Sequence, residues 1–212
     1  MTVVRDDLES LMPAPLRLDP SRSAVLSMDC QTAIIAMYAK GQEAFLTNAG
    51  RVLAEARGAG ITVIHVKVGF RPNLPEVSSR NRLLSAIKDS PQYQKLFEGP
   101  AGEIHPALAP DGDEAVVTKH RVSAFIGTDL DMILRAQEID TLVLFGIATS
   151  GVVLSTLLHA ADSDYRLLVI KDCCADLDQD VHACLIDKVF PRQATVLSAT
   201  EFAEALKSVQ RV

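Results

Sequence analysis

The chain has 212 residues, a length that fits one domain, and hydrophobic residues make up 48% of it, enough for a sizeable core. Its net charge of −6 argues against a broad surface for nucleic acid or anionic membranes, and no apolar run of about 18 residues predicts a transmembrane helix. The N-terminal segment MTVVRDDLESLMPAP has no apolar export signal, and the four cysteines show no CxxC spacing, which together favour reduced thiols in a cytoplasmic protein.

The N-terminal part of the chain, residues 1–23, holds three prolines and no hydrophobic period, so we expect an arm rather than a core element. The first buried strand is predicted at Ala24–Met28, and Asp29 stands at its carboxyl end. Two helices and a second strand follow, at Thr32–Tyr38, Glu43–Arg57 and Ile61–Val68.

A segment rich in proline and glycine separates the second strand from the third. It contains a predicted helix at Ser79–Lys88, and residues 90–113, with four prolines, are expected to be mostly loop. Loops of this length often shape a binding site. The third strand is predicted at Glu114–Thr118, with Lys119 directly after it, and a helix is predicted from Thr128 to Gln137.

The stretch from Thr141 to Thr156 is typical of a strand that turns directly into a helix. Its apolar run Leu142–Phe145 ends at Gly146, and Ser150 is a candidate N-cap for the helix. Such a turn directs free backbone N–H groups to the space above the sheet. It is therefore suited to hold a carboxylate or an oxyanion formed during a reaction.

The rest of the chain continues the alternation of strands and helices. A fifth strand ended by Asp172, a helix capped by Asp178, a sixth strand and a last helix are predicted, with bounds Tyr165–Ile170, Asp178–Val189, Ala194–Leu197 and Thr200–Val209. This pattern predicts an α/β fold with a parallel sheet covered on both faces. Right-handed crossovers bring the carboxyl ends of the strands to one edge, where ligands bind. We therefore expect Asp29 and Lys119 to face the turn after Gly146.

Asp29 follows four apolar residues, so its carboxylate should be poorly solvated and in need of a partner. Lys119 is the natural partner. The pair fits a structural salt bridge, and it equally fits a tuned acid/base pair at the mouth of a pocket. Asp29 could also be an ordinary cap of the helix that follows it.

Three segments resemble the isochorismatase-like hydrolase superfamily: SMDCQ (27–31), VTKHRVSAFIGTDLDMILR (117–135) and GIATSGVVLST (146–156). The resemblance implies one domain over residues 1–212, with three α-β-α layers and a six-stranded parallel sheet in the Rossmann-like order 3-2-1-4-5-6. It also implies a homodimer or homotetramer and a catalytic Asp, Lys and Cys. Asp29 and Lys119 match the first two of these.

The third catalytic position is different in this chain. Amidase members of the superfamily read Gly-x-Ala-Thr-x-x-Cys, and this register places Val152 at the nucleophile, where valine cannot form a thioester. Isochorismatases also lack the cysteine and hydrolyse a vinyl ether, with the aspartate protonating the enol-ether carbon. They usually have glycine there, whereas Gly151 lies one residue earlier. The resemblance further implies a cis peptide bond at Ile147–Ala148, which would aim the Ala148 N–H at the substrate.

The remaining candidates concern substrate and metal. Candidate substrate-binding residues are Gln31, Phe70, Arg71, Phe125, Ala148, Thr149, Ser150 and Gly151, with Tyr38 as a further lining residue. Arg71 suits an anionic substrate. No metal or cofactor is predicted, because neither His65 nor His105 completes the Asp-x-His pattern of the nicotinamidase-type members: Val63 and Glu103 stand two residues before them. His159 and His182 are expected on helices away from the active edge.

Three functions remain open from the sequence. The first is a non-covalent hydrolase that acts on a small, polar, anionic metabolite through Asp29, Lys119 and the turn from Ala148 to Val152. The second is an amidase with a displaced nucleophile, for which Cys174 is the candidate. The third is a catalytically silent ligand-binding or regulatory relative.

Overall fold

The computed structural model describes residues 18–39, 41 and 43–209, so most of the predicted N-terminal arm lies outside the described residues. The strands are β1 (Ser23–Met28), β2 (Thr62–Val68), β3 (Ala115–Lys119), β4 (Thr141–Ile147), β5 (Arg166–Ala175) and β6 (Thr195–Leu197). They pair in parallel in the order β3-β2-β1-β4-β5-β6. The predicted sheet and its strand order are confirmed.

Helices cover both faces of this sheet, which gives the three-layer α/β fold. They are α1 (Thr32–Tyr38), α2 (Glu43–Gly58), α3 (Arg82–Lys88), α4 (Pro91–Gln94), α5 (Leu130–Ala136), α6 (Leu154–Asp162), α7 (Gln179–Cys184) and α8 (Ala199–Val209). Asp178 caps α7 as predicted, because its side chain accepts hydrogen bonds from the N–H groups of Asp180 and Val181. No helix in the described part of the chain is long and apolar enough to cross a membrane.

The core of the domain lies on the two central strands. Every residue of β1 and β4 is buried, which explains why most of their residues are apolar. The long helix α2 packs one face against the sheet, and its buried residues recur at helical spacing: Phe45, Ala49, Val52, Leu53 and Ala56.

The fifth strand differs from its prediction. The strand does not end at Ile170 but continues to Ala175, and residues 144–146 of β4 lie opposite residues 169–174 of β5. At this irregularity Lys171 is exposed. The polar residues Lys171 and Asp172 therefore look like the end of the strand in the sequence, although the strand continues beyond them. Asp172 accepts hydrogen bonds from the Asn48 side chain (3.2 Å) and the Ala199 N–H (2.8 Å), so it fixes the start of α8.

The proline-rich segment 90–113 has more local structure than predicted. Ser90 caps the short helix α4, whose first residue is Pro91, and the Ser90 hydroxyl accepts the N–H of Tyr93 at 3.3 Å. Three single 3₁₀ turns follow within this segment, at Lys95–Phe97, Gly99–Gly102 and Pro106–Leu108. Prolines at the starts of such turns are favoured because the missing N–H has no partner there in any case.

A buried network of charged groups connects β2 to the start of β3. The fully buried His65 contacts Glu114 through Nε2 at 3.0 Å. The same carboxylate accepts two hydrogen bonds from the Arg57 guanidinium, at 2.7 and 2.8 Å, and one from the Asp111 N–H at 2.9 Å. These bonds outweigh burial and lower the pKa of Glu114 to about 2, whereas burial lowers the pKa of His65.

We expect this network to make the domain sensitive to acid. Glu114 stabilises the fold above its ordinary pKa of 4.5 and loses that contribution as the pH falls towards 2; the shift corresponds to about 3 kcal/mol. His65 further lowers the stability of the fold below its ordinary pKa of 6.5, because its imidazole takes up a proton more readily in the unfolded chain than in the folded one. Denaturant unfolding should show a stability that falls from about pH 7 to about pH 3, and Glu114→Gln should flatten this dependence.

The control for this prediction is Glu103→Gln. Glu103 is an exposed carboxylate that pairs with Lys67 at 2.7 Å, so the substitution removes the same charge outside the buried network. A Glu114→Gln protein with the same dependence of stability on pH as the wild type would contradict the assignment.

Candidate active site

Asp29 and Lys119 meet at the carboxyl edge of the sheet. Asp29 follows β1, Lys119 is the last residue of β3, and the Lys119 ammonium Nζ lies 2.8 Å from Asp29 Oδ2 across the end of β2. Both residues are buried, at 6% and 3% exposure. The predicted meeting of this carboxylate and this ammonium is confirmed, since two neighbouring strand ends place them side by side.

The environment of Asp29 favours its protonated form. Burial raises the pKa of Asp29, and the attraction of the Lys119 ammonium opposes this only in part. Oδ1 of Asp29 is buried without a hydrogen-bond partner among the described residues. The Asp29 backbone has a φ of 53°, a value that non-glycine residues adopt infrequently and often at functional sites. One carboxylate oxygen is thus held by lysine, and the other is buried without a hydrogen-bond partner in the described part of the chain.

Lys119 is itself held by the segment that follows it. Its ammonium donates to the Arg121 carbonyl at 3.1 Å, and the Arg121 guanidinium donates to the Glu76 carbonyl at 3.0 Å. Glu76 in turn accepts the Arg71 N–H at 2.8 Å through Oε1, while its Oε2 is buried and unpartnered among the described residues. These contacts fix the loop after β2 beside the lysine.

The turn after β4 has an unusual backbone. The peptide bond Ile147–Ala148 is cis, as predicted. Residues Thr149–Val153 form a kinked turn before α6, in which Gly151 has non-helical backbone angles (φ −99°, ψ −105°). The Gly151 and Val153 N–H groups both donate to the Ala148 carbonyl, at 3.0 and 3.3 Å. The prediction that Ser150 caps the helix is wrong: it lies inside the turn, and Ala148 precedes the turn without a side-chain cap.

Two side chains from the region after β5 hold this turn in place. The Ser150 N–H donates to Asp176 Oδ2 at 2.7 Å, and the Thr149 hydroxyl is hydrogen-bonded to His182 Nδ1 at 2.8 Å. The turn therefore binds a carboxylate, as its N–H groups suggested, but this carboxylate belongs to the chain itself. The expectation that His182 lies away from the active edge is wrong, because its ring contacts Thr149 of the turn.

The three buried cysteines are poorly suited to act as a displaced nucleophile. Val152, at the predicted nucleophile position, is 2% exposed and ends in methyl groups only. Burial raises the pKa of Cys30 and Cys174 to about 12, and it raises that of Cys173 as well. A buried thiol of this kind is not ionised near neutral pH, so the structure does not support Cys174 as a displaced nucleophile.

Two of the predicted substrate-binding residues have other roles. Gln31 is fully buried, and its side-chain amide bonds the Val68 backbone (2.9 and 3.0 Å) and the Gly102 carbonyl (2.6 Å). It therefore clamps the end of β2 to the loop at Gly102. Phe125 is buried against the rings of His159 and Tyr165, with centroids 4.6 and 6.0 Å away, so it packs under α6.

The other predicted substrate-binding residues lie near the active edge. Phe70, in the loop after β2, packs edge-on against Phe97 with centroids 5.3 Å apart. Arg71 is exposed, and its guanidinium is 3.8 Å from the Glu76 carboxylate. Ala148, Thr149, Ser150 and Gly151 form the turn described above, in which Thr149 is fully buried. Substrate contacts at these positions stay a prediction.

Metal-binding geometry is not found in the described part of the chain. No group of three or more His, Cys, Asp and Glu side chains there is arranged to hold a metal ion. His65 is engaged with Glu114, and His105 accepts the Ala107 N–H at 3.2 Å.

Comparison with known proteins identifies the family of this chain. The isochorismatase domain model matches residues 23–201. The chain belongs to the isochorismatase family. It is 28% identical to maleamate amidohydrolase of Pseudomonas putida over 172 residues, 81% of this chain and 78% of the relative. It is 29% identical to the ureidoacrylate amidohydrolase RutB of Agrobacterium fabrum, covering 90% of this chain and 88% of RutB.

A solved structure shows the same architecture. The isochorismatase family protein from Burkholderia thailandensis superposes with a TM-score of 0.77 and 27% identity, covering 90% of this chain and 97% of that one. The family is one of hydrolases, and the meeting of Asp29 and Lys119 lies at the edge of the sheet where such folds bind ligands.

Proposed function

We propose that this chain is a hydrolase of small, polar, anionic metabolites that works through Asp29 and Lys119 without a covalent thioester. The observation that carries the proposal is the buried pair itself: an ammonium 2.8 Å from a carboxylate whose second oxygen has no partner among the described residues. A buried carboxylate oxygen without a partner is costly unless a water or a substrate group completes it.

Asp29 serves as the proton donor and acceptor in this proposal. Because burial raises its pKa, the carboxyl exchanges protons closer to neutral pH than an exposed aspartate does. With an enol ether, protonated Asp29 would give its proton to the substrate carbon and leave an oxocarbenium ion. Water would add to that ion and return a proton to Asp29, and the hemiketal would then release an alcohol and a carbonyl compound. Lys119 orients the carboxylate throughout.

In this proposal water attacks the substrate directly, because the residue at position 152 cannot serve as a nucleophile. In the register of the amidase motif Val152 takes the place of the cysteine, and valine has no nucleophilic atom. The raised pKa values of the buried thiols support the same conclusion.

The anionic character of the substrate is supported by two observations. The relatives are named for maleamate and ureidoacrylate, both small carboxylates. Arg71, which follows the end of β2, presents an exposed guanidinium that suits a carboxylate.

A second candidate function is a catalytically silent ligand-binding relative. The observation that favours it is the burial of the pair, because Asp29 and Lys119 at 6% and 3% exposure also satisfy a purely structural salt bridge.

The test is a turnover screen over vinyl ethers, amides and carbamoyl compounds. We expect the wild type to hydrolyse at least one of them and Asp29→Asn to lower kcat/KM by about 10²–10⁴-fold, the usual share of a general acid. The matched control is Asp131→Asn, which removes an exposed carboxylate paired with Arg135 at 2.8 Å. Iodoacetamide should leave the turnover unchanged. Full activity in Asp29→Asn would contradict the proposal, and ligand binding without any turnover would favour the silent relative.

A further inference from the structure

A separate cavity lies beside the turn, on the β5 side of the carboxyl edge. Its volume is about 370 Å³, within the range of small-molecule sites. It is lined by Met37, Tyr38, Ala39, Phe45, Asp172, Cys174, Ala175, Asp176, Leu177, Gln179 and His182. Asp29 and Lys119 are not among the lining residues, so this cavity is distinct from the proposed catalytic pair.

Two carboxylates, those of Asp172 and Asp176, line the cavity. Among the described lining residues there is no Lys or Arg side chain. Each Asp176 oxygen accepts one backbone N–H, from Leu177 at 2.8 Å and Ser150 at 2.7 Å. Neither carboxylate forms an ion pair within the described residues. Since each carboxylate oxygen has two acceptor positions, both groups are oriented by the fold and retain the capacity to accept from a ligand.

Aromatic surface completes the lining. Tyr38 and Phe45 come from the end of α1 and the start of α2, and the half-buried Tyr38 lies close enough to Asp176 to sense its charge. Burial is the main reason why the pKa of Tyr38 is raised, and the Asp176 carboxylate raises it further. Aromatic side chains together with carboxylates are the usual surroundings of a bound ammonium group.

We propose that this cavity binds a small organic ammonium compound as a second ligand, separate from the hydrolase substrate. The carboxylates of Asp172 and Asp176 receive the positive group, and the rings of Tyr38 and Phe45 pack against its carbon atoms. The proposal does not depend on the proposed catalytic chemistry, because it rests on a different set of residues.

The cavity and the turn at the active edge share two side chains. Asp176 and His182 both line the cavity, and the same two side chains hold Ser150 and Thr149 of the turn. A ligand that contacts Asp176 or His182 can therefore change the hydrogen bonds that fix the position of the turn.

The binding test uses calorimetric titration of the full chain with choline chloride. The controls are 3,3-dimethylbutan-1-ol, which has the shape of choline without its charge, and sodium propionate, which carries the opposite charge. We expect choline to bind at least about ten-fold more tightly than either. Equal affinity for the neutral compound, or preferred binding of propionate, would overturn the proposal.

Variants locate the binding to this cavity. Asp172→Asn and Asp176→Asn should each weaken choline binding about ten-fold, and Phe45→Leu, which keeps both carboxylates, should weaken it several-fold. Asp131→Asn is the control for loss of one exposed carboxylate and should bind as the wild type does. Unchanged affinity in Phe45→Leu and both aspartate variants would refute the location, even where one of them folds poorly.

Two further variants separate this proposal from its alternatives. Lys40 lies outside the described residues but follows Ala39 in the sequence, and Lys40→Met should bind choline as tightly as the wild type. Binding seen only in Lys40→Met would overturn the proposal, because the chain's own ammonium would then be the partner of the carboxylates. Asp29→Asn should also retain choline binding, whatever its effect on turnover; loss of binding there would show that the two sites are one.

Discussion

Replacing Lys119 by methionine is expected to lower the free energy of unfolding by about 3–5 kcal/mol at neutral pH. Methionine has similar length and fills the same space, so the packing change is small. The cost comes from Asp29, which stays buried at 6% exposure and loses the ammonium that lies 2.8 Å from it. A charge without a partner in a poorly solvated place either remains at high cost or takes up a proton.

The cost of this substitution should depend on pH with a definite sign. The pKa of Asp29 is already raised above its ordinary value of 3.8 by burial, and without Lys119 it rises further. Below about pH 4 the carboxyl is protonated in both the folded and the unfolded state, so Lys119→Met should cost least there. As the pH rises above about 4, Asp29 loses its proton readily only in the unfolded state of the variant. The difference in the free energy of unfolding between Lys119→Met and the wild type should therefore grow.

A double variant tests whether the two residues act as one unit. Asp29→Asn/Lys119→Met removes both charges, and we expect it to recover much of the stability that Lys119→Met loses at neutral pH. The matched control is Lys171→Met, which removes an exposed ammonium 3.8 Å from Glu201 and should change stability by less than about 0.5 kcal/mol. Urea unfolding at two pH values compares five proteins: the wild type, Lys119→Met, Asp29→Asn, the double variant and Lys171→Met. Additive effects of the two substitutions would refute the coupling.

The pairing of Asp29 with Lys119 could be predicted from sequence because it rests on strand ends. Each residue directly follows or ends an apolar run, and a parallel sheet brings such ends to one edge whatever the intervening segments do. The cis peptide at Ile147–Ala148 came from the resemblance of the segment GIATSGVVLST, because local composition carries no signal for it. The strand order likewise came from the resemblance, whereas the alternation of strands and helices predicted only a parallel sheet covered on both faces.

The contacts that fix the turn could not be predicted in the same way. Asp176 reaches the Ser150 N–H only because β5 carries an irregularity that extends it past Asp172, and nothing in the period of the apolar residues shows this. His182 was expected on a helix away from the active edge, but its ring is hydrogen-bonded to the Thr149 hydroxyl of the turn. Gln31 was predicted to bind the substrate, but its full burial and its bonds to Val68 depend on how a distant loop packs.

A methyl group added at Gly146 is expected to lower the free energy of unfolding by more than about 4 kcal/mol, or to prevent folding altogether. Gly146 has a φ of +144°, which residues with a side chain rarely adopt. It lies opposite Met28 in the pairing of β1 with β4. A Cβ there would overlap the Met28 carbonyl oxygen and lie 2.8 Å from the carbonyl carbon, and these are backbone atoms of a fully buried central strand.

The same close approach ties stability to the proposed active site. Met28 precedes Asp29 and Gly146 precedes the cis peptide, so the distance between the two strands sets the distance between the carboxylate and the turn. If Gly146→Ala yields soluble protein, we expect it to lose turnover with Asp29 and Lys119 still present. The control Gly58→Ala places a methyl group at the end of α2, where no atom lies within 4 Å, and should change stability by less than about 1 kcal/mol. Circular dichroism and urea unfolding compare the two, and equal stability of both variants would show that the strands can separate at no cost.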